Sequence, residues 1–303
     1  MTHKILTALD GSKTSESILP HLESLLRTKD ADVTLARVLL SDGLKEKQEA
    51  RNYLKGVAAS LEAKGACVNT LLLNGSPAEE VVKQAIAGGY DLILMCTRGK
   101  TGLKRLILGS VAEGLLKRSP VPVMIVHPKE AGAGAPEIRR IVVPLDGSHR
   151  SASVIPTVTE LAKAMEAKVA LVTVVSPTKK DELPVEVVSE NIFREQRKLQ
   201  KLGIEVEIAI LYGDPATELM GFAARNEADL VAISTHGRSG LERLRFGSVA
   251  EKILRKSKTP LLVVRTAAVP KEYTIHKAGR KARRHAMELI ASVGEVKKGP
   301  YNR

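Results

Sequence analysis

KILTALDGS, residues 4–12, is an apolar run that breaks into Asp10-Gly11-Ser12, and RIVVPLDGS, residues 140–148, does the same 136 positions later. Each reads as a buried strand ending in a tight polar turn, because the run is apolar on both alternating faces and Asp-Gly-Ser is turn chemistry. The correspondence extends outward. DVTLARVL at 32–39 matches KVALVTVV at 168–175 with the same offset, and after a variable helical region the offset becomes 138. NGSPAEEVVKQA at 74–85 then matches YGDPATELMGFA at 212–223, YDLILMCTRG at 90–99 matches ADLVAISTHG at 228–237, and VPVMIVHP at 121–128 matches TPLLVVRT at 259–266. One domain is written twice, and this places domain one at 1–128, a Gly-, Ala- and Pro-rich linker at 129–137 and domain two at 138–266, with an extension at 267–303.

Within each copy, short β-rich runs alternate with helical patterns, the signature of a parallel sheet with crossover helices. In the first copy the strands are expected near 4–9, 32–39, 67–73, 91–97 and 121–127, and a helix near 15–28 with Ile18, Leu22, Leu25 and Leu26 on one face and Ser12 or Thr14 at its start. Ser76-Pro77 and Asp214-Pro215 mark two more helix starts, a polar cap followed by proline at the first helical position. The fold class is therefore α/β, two tandem five-stranded parallel-sheet domains followed by a basic C-terminal tail that is helical over about 272–293.

Composition narrows the function classes. Of 303 residues 44% are hydrophobic but only 3% aromatic, with no Trp, so two aliphatic cores are affordable and an aromatic-lined sugar or peptide groove is not. Cys67 and Cys96 have neither disulfide-framework nor metal-knuckle spacing and read as reduced thiols in core strands. The start MTHKILTALDGS lacks a signal-peptide apolar segment, and no uncharged run approaches the roughly 18 residues of a membrane span, so the expected location is the cytoplasm. The net charge is +13, and residues 271–303 alone carry nine Lys or Arg against three acids.

In an open parallel sheet, ligands sit beyond the carboxyl ends of the strands where the strand order reverses. Asp10-Gly11-Ser12, Val38-Leu39 and the loop from Cys96 to Ser110 should reach that edge in the first copy, as should Asp146-Gly147-Ser148, Val174-Val175 and the loop from Ser234 to Ser248 in the second. Gly109-Ser110 and Gly247-Ser248 stand where a helix should begin, so each is a candidate phosphate cradle. The plainer roles are a strand-to-helix connector for each loop, and a cap or Asx-turn for Asp10 and Asp146. Other glycine motifs fail: the GKT at 99–101 would need glycine at position 94, which is Leu, and no spaced glycine triplet follows either first strand. No nucleophile triad, carboxylate pair or metal-ligand set emerges.

These loops resemble the nucleotide motif of the universal stress protein family, which runs Gly, two residues, Gly, nine residues, then Gly-Ser or Gly-Thr. Gly99 is followed by KTGLKRLIL and Gly109-Ser110, and Gly237 by RSGLERLRF and Gly247-Ser248, while Cys96 and Ser234 stand at the motif's first glycine. The resemblance covers about residues 3–266 and implies two Rossmann-like, adenine-nucleotide-binding domains that take ATP, with Mg2+. It implies that Asp10 and Asp146 contact ribose or the nucleotide's metal, and that the backbone near Val38 and Val174 faces adenine. Gly99, Gly109, Ser110 and Val111 would surround phosphates in one copy, and Gly237, Gly247, Ser248 and Val249 in the other. Pro144 matches a frequent family proline where the first copy has Ala8, which favours the second site. His236, whose counterpart is Arg98, is expected to contact phosphate or its own loop rather than serve as a base.

The family also pairs last-strand edges between domains, so the two copies are expected to pair within the chain and two chains to form a homodimer. The tail's KAGRKARRH predicts nonspecific polyanion binding at low salt, or a solvated docking helix. The combined expectation is a cytoplasmic stress-response protein regulated by ATP occupancy, with hydrolysis slow at most. The alternatives are a nucleotide-free scaffold of the same fold and a tail-driven nucleic-acid binder.

Overall fold

The computed structural model describes residues 3–27, 31–41, 43–97, 108–128, 136–176, 185–235 and 246–265. The chain divides into two compact units, one running through Glu137 and including Pro260–Arg265, the other containing Ile138–Thr259.

In the first unit, β1 (His3–Ala8), β2 (Ala31–Leu39), β3 (Cys67–Asn74), β4 (Leu92–Cys96) and β5 (Val123–Val126) alternate with α1 (Leu19–Leu26), α2 (Leu44–Glu62), α3 (Pro77–Ala87) and α4 (Ser110–Arg118). The strands stand in the order β3-β2-β1-β4-β5 and all these pairs are parallel. Ile5 lies opposite Val33 on one side and Leu92 on the other, so the reversal of strand order falls between β1 and β4. The continuous apolar runs are buried as their lack of alternation requires: Leu6, Val33, Leu35, Ile93, Leu94, Met124 and Ile125 are each 0% exposed. Burying each such side chain stabilises the fold by about 1.5–3 kcal/mol. The helices close over the sheet with their apolar stripes, α2 through Ala50, Leu54, Ala58 and Leu61.

The second unit repeats the plan with β6 (Arg140–Pro144), α5 (His149–Ala152), α6 (Ile155–Met165), β7 (Lys168–Val175), α7 (Val185–Lys201), β8 (Val206–Tyr212), α8 (Pro215–Arg225), β9 (Leu230–Ser234) and α9 (Ser248–Lys256). Its strands run β9-β6-β7-β8, again parallel. Strand β10 (Leu261–Val264) is grouped with the first unit and lies antiparallel to β5, Leu261 opposite Ile125 and Val263 opposite Val123. All four residues of β5 are buried, and a buried strand edge needs a backbone partner, which β10 supplies. Arg265 completes the contact by donating from Nη1 to the Arg118 carbonyl at the end of α4, 3.1 Å away.

Two expectations need correction. The helix expected over 15–28 is a 3-10 turn at Ser15–Ile18 followed by α1, because Pro20 has no N–H to donate to Glu16; the second copy breaks likewise into α5 and α6 ahead of Pro156. Cys67 is exposed rather than a core thiol, because it opens β3, which in the first unit has a strand partner on one side only, whereas Cys96 is buried. Among the described residues no helix is long and apolar enough to cross a membrane.

Candidate functional site

The exits of β1 and β6 fold into the same turn. Asp10 accepts from the Ser12 backbone N–H at 2.9 Å and from its hydroxyl at 2.6 Å, and Asp146 accepts from Ser148 at the same two distances. Ser12 and Ser148 in turn accept from the backbone N–H of Ser15 and Ser151, each at 3.1 Å, so the serine rather than Thr14 caps the following turn. Gly11 and Gly147 both hold φ at +81°, a conformation L side chains resist. The Asx-turn role is thus filled in both copies, and in each it fixes the carboxylate at the carboxyl edge.

At the exits of β4 and β9 each loop is closed by one backbone bond. The Gly109 N–H donates to the Thr97 carbonyl at 2.9 Å, and the Gly247 N–H to the Thr235 carbonyl at 3.0 Å. Helices α4 and α9 start at the next residue, with Gly109 and Gly247 as N-caps that have no side chain to accept from the first turns. Both glycines are extended, φ −65° and −59°, so dihedral strain does not demand glycine there. A missing side chain leaves the first N–H groups open to an anion, and the helix dipole adds to that. Ser110 and Ser248 are exposed, while Val111 and Val249 are partly buried.

The structure therefore brings Asp10, Val38, Gly109, Ser110 and Val111 to one edge of the first unit, since β1 stands between β2 and β4. It brings Asp146, Val174, Gly247, Ser248 and Val249 to the matching edge of the second. Gly99, His236 and Gly237 lie outside the described residues, as does the basic extension. Two positions escaped sequence reasoning. Thr97 and Thr235, each 2% exposed, recur at the repeat offset and anchor the loops, so their recurrence was the available signal.

Around the shared turn the two copies differ. Pro144 lacks an N–H, and the β6–β9 ladder holds Ile141 with Leu230 and Val142 with Val231, whereas β1–β4 pairing continues to Ala8 with Met95. The rungs nearest the edge are thus missing from the second unit's crevice. Asn191 on α7 donates to the Gly147 carbonyl at 2.9 Å. In the first unit the matching helix position is Tyr53, and Arg37 from β2 stands over its ring, 5.6 Å from Cζ to the centroid. Burial, with the Glu16 carboxylate next in importance, holds the Tyr53 phenol well above its ordinary pKa, so it remains protonated. Among the described residues no group of three or more His, Cys, Asp or Glu could hold a metal ion.

Two doubly wound repeats, each with a glycine-capped helix start and an Asp-Gly-Ser turn at its carboxyl edge, define a tandem α/β protein. The family model for the universal stress protein family matches residues 1–127 and 137–265, and the chain belongs to that family. It is 32% identical over 159 residues to universal stress protein MJ0577 of Methanocaldococcus jannaschii, an alignment covering 43% of this chain and 98% of that protein. Universal stress protein Rv2005c of Mycobacterium tuberculosis aligns over 292 residues at 23% identity, covering 87% of this chain and 97% of its own, so the tandem arrangement has a full-length counterpart. A crystal structure of a universal stress protein from Archaeoglobus fulgidus shares the fold, with TM-score 0.72, 22% identity and coverage of 86% of this chain and 98% of that one.

Proposed function

We propose that the chain is a cytoplasmic stress-response protein that binds ATP at the carboxyl edge of its repeats and uses occupancy to regulate conformation or partner choice. One observation carries this reading: in both copies a helix start without a side-chain cap is tied by a backbone bond to the strand exit and stands at the same edge as a fixed Asp turn. Such a start supplies N–H donors to phosphate, as an anion site requires. Asp10 or Asp146, fixed in its turn, would contact ribose or the nucleotide's Mg2+. A magnesium ion would take its remaining ligands from phosphate and water. Binding, rather than turnover, is the activity proposed.

Purified protein, denatured and assayed for released nucleotide, should yield ATP, and calorimetric titration should show saturable ATP binding in the presence of magnesium. Gly247→Val and Gly109→Val each place a side chain where phosphate would approach and should each remove one site. Absence of both co-purified ATP and binding at millimolar concentration would sink the proposal.

A further inference from the structure

A cation stands at the first unit's edge where the second unit has a neutral side chain. Arg37 leaves β2 one residue before Val38, and its Nη1 reaches within 2.7 Å of the place a Cβ on Gly11 would occupy, with Cζ 3.0 Å from that place. The Tyr53 ring lies against the same guanidinium. Arg37 is partly buried, and no hydrogen bond or ion pair joins its guanidinium to another described residue. Asp10 and Glu16 are near enough to act on Tyr53, and Asp10 holds Ser12. The matching residue of the second repeat is Thr173, 2% exposed and uncharged.

A guanidinium presents five N–H donors in a planar fork suited to phosphate oxygens, and it keeps its charge at every accessible pH. Fixed beside Gly11 and short of partners, it favours an anion at this edge in proportion to the anion's charge. At a separation of about 10 Å and an effective dielectric of about 40, one unit of ligand charge changes affinity about fourfold. We propose that Arg37 is a specificity-determining residue that makes the first repeat select among adenine nucleotides by phosphate charge, ATP over AMP, while the second repeat discriminates less. This inference rests on the nucleotide reading of the site.

The test uses the full chain carrying Gly247→Val, so that the first repeat is the site being titrated. ATP and AMP, free of metal, are the probes in calorimetry. Arg37→Thr, which installs the second repeat's residue, should lower ATP affinity about sixteenfold more than AMP affinity, given roughly two charges of difference. Arg37→Lys should retain the ATP-to-AMP ratio. Arg37→Gln keeps the side chain's length without its charge, and it should behave as Arg37→Thr if circular dichroism shows that the smaller residue disturbs folding. In a Gly109→Val chain, which leaves only the second repeat, Arg37→Thr should change nothing. Equal losses for both nucleotides would make Arg37 a mere support of the turn and overturn the inference, as would an unchanged ratio. A chain that binds neither nucleotide in any form would instead overturn the reading of the site, and this inference with it.

Discussion

The two repeats build the same turn and then support it differently. Asp10-Gly11-Ser12 and Asp146-Gly147-Ser148 agree in φ at glycine and in both carboxylate–serine distances. Behind the first stands Arg37 against Tyr53, and behind the second Asn191 bonded to the Gly147 carbonyl. A turn held by its own local hydrogen bonds tolerates a change of neighbour. The difference teaches that the edge geometry is local, while charge at the edge is set by residues distant in sequence.

The comparison breaks first, and most heavily, in the cores. Leu115 in α4 and Ile253 in α9 occupy matching positions and are 0% and 1% exposed. Truncating either to alanine should cost about 3 kcal/mol, read as a shift in denaturant midpoint. Equal costs would mean that both helices pack alike beneath their N-termini. A loss of less than about 1 kcal/mol at either position would show that its helix is not held to the sheet as described.

A smaller effect separates the turns. Gly147→Ala should destabilise by about 1–2 kcal/mol, because φ is positive there. Gly11→Ala carries that strain and also has to push Arg37 aside. In an Arg37→Ala background the extra cost at Gly11 should vanish, and a double-mutant cycle on thermal unfolding measures it. Additive effects would mean that Arg37 does not rest on the turn.

The smallest expected difference lies at the starts of α3 and α8. Asp214 caps α8 by accepting from the Thr217 backbone N–H at 3.1 Å and its hydroxyl at 2.8 Å, whereas Ser76 makes no side-chain cap bond at α3. The Thr217 hydroxyl, chiefly, holds the Asp214 pKa below the ordinary carboxylate value. A depressed folded pKa gives stability that is fully present above the unfolded value and is lost as pH falls through the folded one. Comparing Asp214→Ser with the parent chain should therefore show a stability difference at neutral pH that closes only in acid, below the usual aspartate range. A difference that persists unchanged there would remove Asp214 as the titrating cap.

Much of this was legible in the sequence, because the repeat doubled every signal. Strand positions followed from apolar runs, and the helix starts at Pro77 and Pro215 from the cap-proline pairs. Pro20 marks the break within the helix expected over 15–28, but the apolar periodicity continues across it, and Pro156 is its counterpart in the second copy. The exposure of Cys67 was not legible: an apolar run does not say whether its strand is central or at an edge. Arg37 was equally hidden, since an arginine in a strand pattern carries no mark of what its guanidinium meets.

By itself, then, the sequence determined that there are two doubly wound α/β repeats, that each first strand ends in an Asp-Gly-Ser turn, and that Gly109 and Gly247 open helices. Those features depend on residues within a few positions of one another, where periodicity, proline and glycine act directly. Only the tertiary structure decided the antiparallel register in which β10 meets β5, that Thr97 and Thr235 tie the loops shut, and that one edge carries Arg37 where the other carries Thr173. These depend on which strands lie side by side, and strand order is settled by packing whole faces, not by any single run of residues.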